Sequence, residues 1–210
     1  MSLLNKLFHF ILLTTQKHNI DESHGLSHSM NVLRFASEIY EEESIKHPIV
    51  KQHEKIIYIS AALHDMCDKK YMDQDEGISE IDTFLSDKMN PTEINVVKLI
   101  ISTMSYSYVK ANGFPNLGPY KTAYHIVREA DLLTAYDFDR CMIYNMNKKS
   151  GNLEESFKDA NLLFANRVLK HNEDGLFKTE YSLKKSLELE SQSLQQIGTW
   201  KKLLKSPALI

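Results

Sequence analysis

Apolar residues recur every three to four positions along nearly the whole chain, and no stretch alternates with a period of two between turn signals. The pattern predicts helices over about 2–18, 27–43, 49–66 and 76–88. NPTE (90–93) reads as a helix start, with Asn90 as N-cap, Pro91 in the first turn and Glu93 reaching back; that helix carries INVVKLIIST and stops near Met104. Further helices are predicted over about 121–147, 153–170 and 178–204. The fold class is therefore all-α, a single domain spanning 1–210, with no repeat, low-complexity tract or linker to divide it.

One connection breaks the pattern. SYSYVKANGFPNLGPY (105–120) holds two glycines, two prolines and the rings of Tyr106, Tyr108, Phe114 and Tyr120. Long irregular loops in compact domains are functional or disordered, and this aromatic content argues against disorder. It reads as a loop covering a substrate or as one packed on the surface.

Three polar side chains sit where the helical pattern calls for apolar ones. His28 begins the stripe Val32, Phe35, Ala36, Ile39, and His64 shares a face with Ile57, Ser60 and Ala61. Asp131 lies on the face of Tyr124, Val127, Thr134, Ala135 and Phe138. Asp65 follows His64 directly, at the end of the apolar run IIYISAALHD. An ionised carboxylate is costly to bury unless something pairs it. Singly, each has a plain reading: a hydrogen-bonded core histidine, or an Asp131–Arg128 pair along one helix. Jointly, one divalent ion held by His28, His64, Asp65 and Asp131 answers all the burial problems together, and mixed nitrogen and oxygen ligation suits Mn, Fe, Co, Ni, Zn or, less comfortably, Mg.

This arrangement resembles the HD-domain metal-dependent phosphohydrolases, whose signature is H…HD…D on an all-α scaffold. His28 in HSMNVLRFA, LHD at 63–65 and READLLTAYD (128–137) carry the likeness, which covers about residues 20–140, with the C-terminal helices of about 153–204 packing on that core. SHGLSH (23–28) and FANRVLKH (164–171) are similar to the family's small stand-alone branch, although Gly25 stands where that branch often has Asp. The resemblance implies hydrolysis of a phosphate ester or anhydride in a small phosphorylated metabolite, a nucleotide above all, by a water that the metal activates. It implies one metal, because His125 is the only histidine between the HD pair and Asp131. Candidate catalytic residues are Asp68 as general base, Lys69 (with Lys70) and Arg128 as phosphate contacts, and His24 at the leaving group. The competing reading is a catalytically inactive HD scaffold that binds a nucleotide or a partner protein.

Charge and composition narrow the partners. A net charge of −3 gives no basic surface for nucleic acid. LFHFILL (7–13) is too short to span a bilayer and lacks a signal-peptide cleavage site. Cys67 and Cys141 fit neither a disulfide framework nor a zinc motif, so they read as reduced thiols of a cytoplasmic protein. A homodimer is left open by the pattern, since an exposed apolar stripe looks like a core stripe in sequence.

Overall fold

The structure, a computed structural model, describes residues 1–209. Among the described residues ten α-helices run in the order α1 (Leu3–His18), α2 (Leu26–Lys46), α3 (Glu54–Leu63), α4 (Gln74–Leu85), α5 (Pro91–Thr103), α6 (Tyr106–Asn112), α7 (Lys121–Thr134), α8 (Phe138–Lys148), α9 (Leu153–Asn166) and α10 (Glu180–Leu203). There is no strand among the described residues. The chain divides into two compact units, Met1–Asp131 and Leu132–Ile210.

In the first unit α3 is the central element, packing against α1, α2 and α5. Its residues explain the position. Ile56, Ile57, Ile59, Ser60, Ala61, Ala62 and Leu63 are all buried, so this helix is enclosed nearly all round. The stripe of α2 that starts at His28 is likewise buried, through Val32, Phe35, Ala36 and Ile39. Asn90 caps α5 as its sequence predicts: Glu93 N–H donates to Asn90 Oδ1 at 2.9 Å, and Asn90 N–H to Glu93 Oε2 at 3.1 Å.

Several predicted boundaries move, each for a local reason. The segment 48–53 is a 3-10 helix entered at Pro48, and the α-helix begins only at Glu54. α4 starts earlier than the apolar pattern suggests, because Asp73 accepts from the N–H groups of Asp75 and Glu76. The irregular connection 105–120 contains α6, capped by Ser105 and stopped at Gly113, whose φ of 74° suits glycine. The single helix predicted over 121–147 is two. After Thr134 the chain tightens into i→i+3 bonds from Ala135, Tyr136 and Asp137, and Asp137, in extended conformation, caps α8 through Arg140 N–H.

In the second unit α8 packs on α9 and on α10. Phe138 stacks edge-on to Phe157 and Phe164 at 5.7 and 5.0 Å. α10 is tied back by Trp200 Nε1–H donating to Asp139 Oδ1 at 2.7 Å and by Ser193 Oγ–H donating to the Tyr136 carbonyl. No helix among the described residues is long and apolar enough to cross a membrane.

Candidate metal centre

Three helix ends bring His28, His64, Asp65 and Asp131 together inside the first unit. His28 sits in the first turn of α2, His64 just beyond the last residue of α3, and Asp131 in the last turn of α7. His64 keeps helical backbone angles (φ −56°, ψ −33°) while the chain turns through Met66 N–H to the Leu63 carbonyl, so Asp65 steps off beside it. The apolar run therefore ends in two polar residues because the helix delivers them to the same point.

The geometry is tight. His28 Nε2 lies 3.1 Å from His64 Nε2, 3.1 Å from Asp65 Oδ2 and 3.4 Å from Asp131 Oδ1. His64 Nε2 lies 3.4 Å from Asp65 Oδ2 and 3.6 Å from Asp131 Oδ1. The two imidazoles are almost wholly buried, whereas the side chains of Asp65 and Asp131 are 14% and 28% exposed, so the centre is reached from its carboxylate side.

Proton accounting shows what such a cluster asks for. His64 Nδ1 is 2.9 Å from the Ala61 carbonyl, which can only accept, so Nδ1 carries a hydrogen and Nε2 turns its lone pair inward. That lone pair meets two electron-rich carboxylate oxygens and the Nε2 of a second imidazole. Asp65 Oδ2 is shut away from solvent and accepts no hydrogen bond of good angle among the described residues, although both Nε2 atoms are close. A cation answers this. An ion bonded at about 2.0–2.2 Å sets neighbouring donor atoms about 3.0–3.5 Å apart, the spacing found here. His28, His64 and Asp65 could hold a metal ion together, and Asp131 stands close enough to join them.

Without an ion, protons take part of that role. Burial alone would push the His64 imidazole down, but the Asp65 and Asp131 carboxylates outweigh it and raise it well above the ordinary histidine value. Burial alone would raise both carboxyls; for Asp65 the His64 charge and for Asp131 the bond from His28 lead the opposing effects, and both are held well below the usual range.

Of the other candidates, His24 is beside the centre, Asp68 is held by Lys70, and Lys69 and Arg128 are placed differently. The His24 ring is 6.0 Å from that of His28. Asp68 is tied to Lys70, accepting from its backbone N–H at 2.9 Å and pairing with its ammonium at 3.0 Å. Lys69 is exposed. Arg128 is 1% exposed, donates to the fully buried Glu129 at 3.1 Å and lies under the Phe114 ring at 4.8 Å. Its charge is balanced in the interior, and Phe114, from the connection after α6, covers it. A separate surface cavity of about 560 Å³ is lined by Gln52, His53, Glu93 and Tyr120, and none of the four converging residues borders it.

No family model matches this chain, and no curated protein matches it. A solved structure does: the crystal structure of a structural-genomics target from Lactobacillus plantarum is similar over 96% of each chain, with a TM-score of 0.71 and 17% identity. That likeness is one of fold.

Three residues of the surroundings escaped the sequence reading. Asp21 and Ser23 lie outside any helix, and Tyr71 sits in the turn after the HD pair. Tyr71 O–H donates to Asp21 Oδ2 at 2.6 Å and stands 3.0 Å from His24 Nδ1. The Asp-x-Ser-His order at 21–24 was the available signal, since Asp and Ser at that spacing close a side-chain turn.

Proposed function

We propose that this chain is a metal-dependent phosphohydrolase of the HD-domain type, acting on a small phosphorylated metabolite with nucleotides as the leading class. One observation carries the reading: the two imidazole Nε2 atoms lie 3.1 Å apart, each within 3.1–3.6 Å of an oxygen of Asp65 and of Asp131, with the His64 tautomer set by a backbone carbonyl. His28, His64, Asp65 and Asp131 would hold one divalent ion, of the Mn, Fe, Co, Ni, Zn or Mg group. When bound, such an ion polarises a phosphoryl oxygen and acidifies a water.

The remaining work falls to the chain itself. Asp65 and Asp131 leave the centre open on one side, so an anionic substrate approaches there while the two histidines keep the opposite side dry. Asp68, three residues beyond Asp65, is the proposed general base, with its carboxylate held in place by Lys70. Phe114 supplies an apolar cover on α7, over Arg128 and against His125.

The test is hydrolysis of a nucleotide and phosphomonoester panel, following phosphate and pyrophosphate, with EDTA, Mg, Mn, Co and Ni in turn. Wild type is expected to lose activity in EDTA and regain it with one or more metals, while Asp65→Ala stays silent with every metal. Folded wild type that hydrolyses nothing and holds no metal by elemental analysis would overturn the reading.

A further inference from the structure

Beside the four-ligand centre lies a second polar network, built from Asp21, Ser23, His24, Asp68, Lys70 and Tyr71. Its hydrogens can be counted. Asp21 accepts at Oδ1 from Ser23 N–H (2.9 Å) and from the Ser23 hydroxyl, and at Oδ2 from the Tyr71 hydroxyl (2.6 Å). Each hydroxyl has one hydrogen, and each gives it to the carboxylate. Both hydroxyl oxygens also face His24 Nδ1, at 2.7 Å from Ser23 and 3.0 Å from Tyr71. Having spent their hydrogens on Asp21, they can only accept, so His24 Nδ1 carries the proton.

The other side of the ring agrees. With the proton on Nδ1, Nε2 is an acceptor, and the Lys70 ammonium is 3.3 Å from it. Asp68 Oδ2 holds the same ammonium at 3.0 Å. Lys70 is 48% exposed, and a lysine with that freedom gains little from a surface pair alone. Here it is pinned between an imidazole and a carboxylate, one ring away from His28. An ammonium is a compact point charge suited to phosphate.

We propose that Lys70 is the phosphate-binding cation of this site, and that Asp21, acting through Ser23 and Tyr71 on the tautomer of His24, is the residue that positions it. The inference rests on the phosphohydrolase reading and adds the residues that hold the substrate's anion. It also gives Gly25 a consequence: the side chain that orients His24 comes from Asp21, one turn of chain earlier, and not from position 25. A side chain at 25 would begin with its Cβ 3.2 Å from the Asp21 carbonyl oxygen, a tight approach.

Two measurements on the full chain test this. The first is the imidazole nitrogen NMR spectrum of metal-free protein, which reports tautomers directly. Wild-type His24 is expected in the Nδ1–H form, and Asp21→Asn is expected to move it toward Nε2–H, with Tyr71→Phe intermediate. The second is calorimetric binding of inorganic phosphate and pyrophosphate, in EDTA and with Mg. Loss of one charge-assisted bond in Lys70→Ala, or of its positioning in Asp21→Asn, is expected to weaken binding about tenfold. Metal affinity is expected to hold in both variants, and Lys70→Arg to recover part of the loss. Wild-type His24 in the Nε2–H form, or phosphate affinity unchanged in Lys70→Ala, would overturn the inference. A wild type that takes up no metal and hydrolyses nothing would sink the phosphohydrolase reading alone, and the tautomer and the phosphate affinity in EDTA would still decide the role of Lys70.

Discussion

His64 meets acceptors at both ring nitrogens: the Ala61 carbonyl at Nδ1 and, at Nε2, two carboxylates beside His28. The first contact explains why the second needs a cation. If an ion is what completes the centre, it binds the folded state and not the unfolded one, and stabilises by mass action, about 2.7 kcal/mol at one hundred times its dissociation constant. For a chain of this size that corresponds to a rise in Tm of about 5–11 °C. Wild type is expected to show that shift in differential scanning fluorimetry with the activating metal, and Asp65→Ala to show none. The cysteines make a separate case. Burial pushes the Cys67 thiol up to about 12 and the Cys141 thiol up to about 11, and both are free. A thiol whose folded pKa is raised favours the folded state below its unfolded value and loses that contribution as pH climbs through the folded one. Native protein at pH 8 is therefore expected to react with a thiol reagent far more slowly than urea-unfolded protein, and stability to fall between about pH 9 and 11. Equal labelling rates would contradict the burial. His28, His64 and Asp131 were legible one by one, since each is a polar residue on an apolar stripe. Lys70 and Tyr71 were not separable from ordinary surface residues, because what singles them out is a contact with His24, 46 and 47 positions earlier in the chain.

The helices carry two kinds of information, and only one is local. Asn90 and Glu93 announce the start of α5 from the sequence, because a capping box needs no partner beyond its own turn. The break after Thr134 is also local in chemistry, an Asp N-cap, yet the apolar period runs on through Tyr136 and Phe138 and hides it. α7 shows why periodicity alone misleads here: every residue from Ala123 to Ala130 is buried, so the polar residues His125, Arg128 and Glu129 are enclosed as fully as the apolar ones. α4 depends on a close approach. A Cβ at Gly77 would sit 2.8 Å from Cys67 Cα and Cβ and 2.8 Å from Met72 Sδ, which means that the helix lies against the backbone two residues past Asp65. Gly77→Ala must move that backbone and is expected to cost about 1–3 kcal/mol in urea unfolding, with weaker metal binding as well. A variant as stable as wild type would show that the two segments separate easily.

All four ligand-type residues belong to the unit Met1–Asp131, and Asp131 is its last residue. A bound metal is therefore expected to slow hydrogen exchange in peptides covering 24–31, 60–68 and 121–131, and to leave 153–203 nearly unchanged. Protection gained mainly in the C-terminal helices would place the ion elsewhere. At this scale the division between sequence and structure has a physical cause. The sequence by itself determined that the chain is helical throughout, where most helices start, and which polar residues face inward, because capping, periodicity and desolvation act within a few residues along one helix. Only the tertiary structure decided that His28, His64, Asp65 and Asp131 share one point, that Glu129 neutralises Arg128 beneath Phe114, and that Asp21, Tyr71 and Lys70 surround His24. Those are distances between segments far apart in the chain, set by how α2, α3 and α7 pack, and packing leaves no period to read.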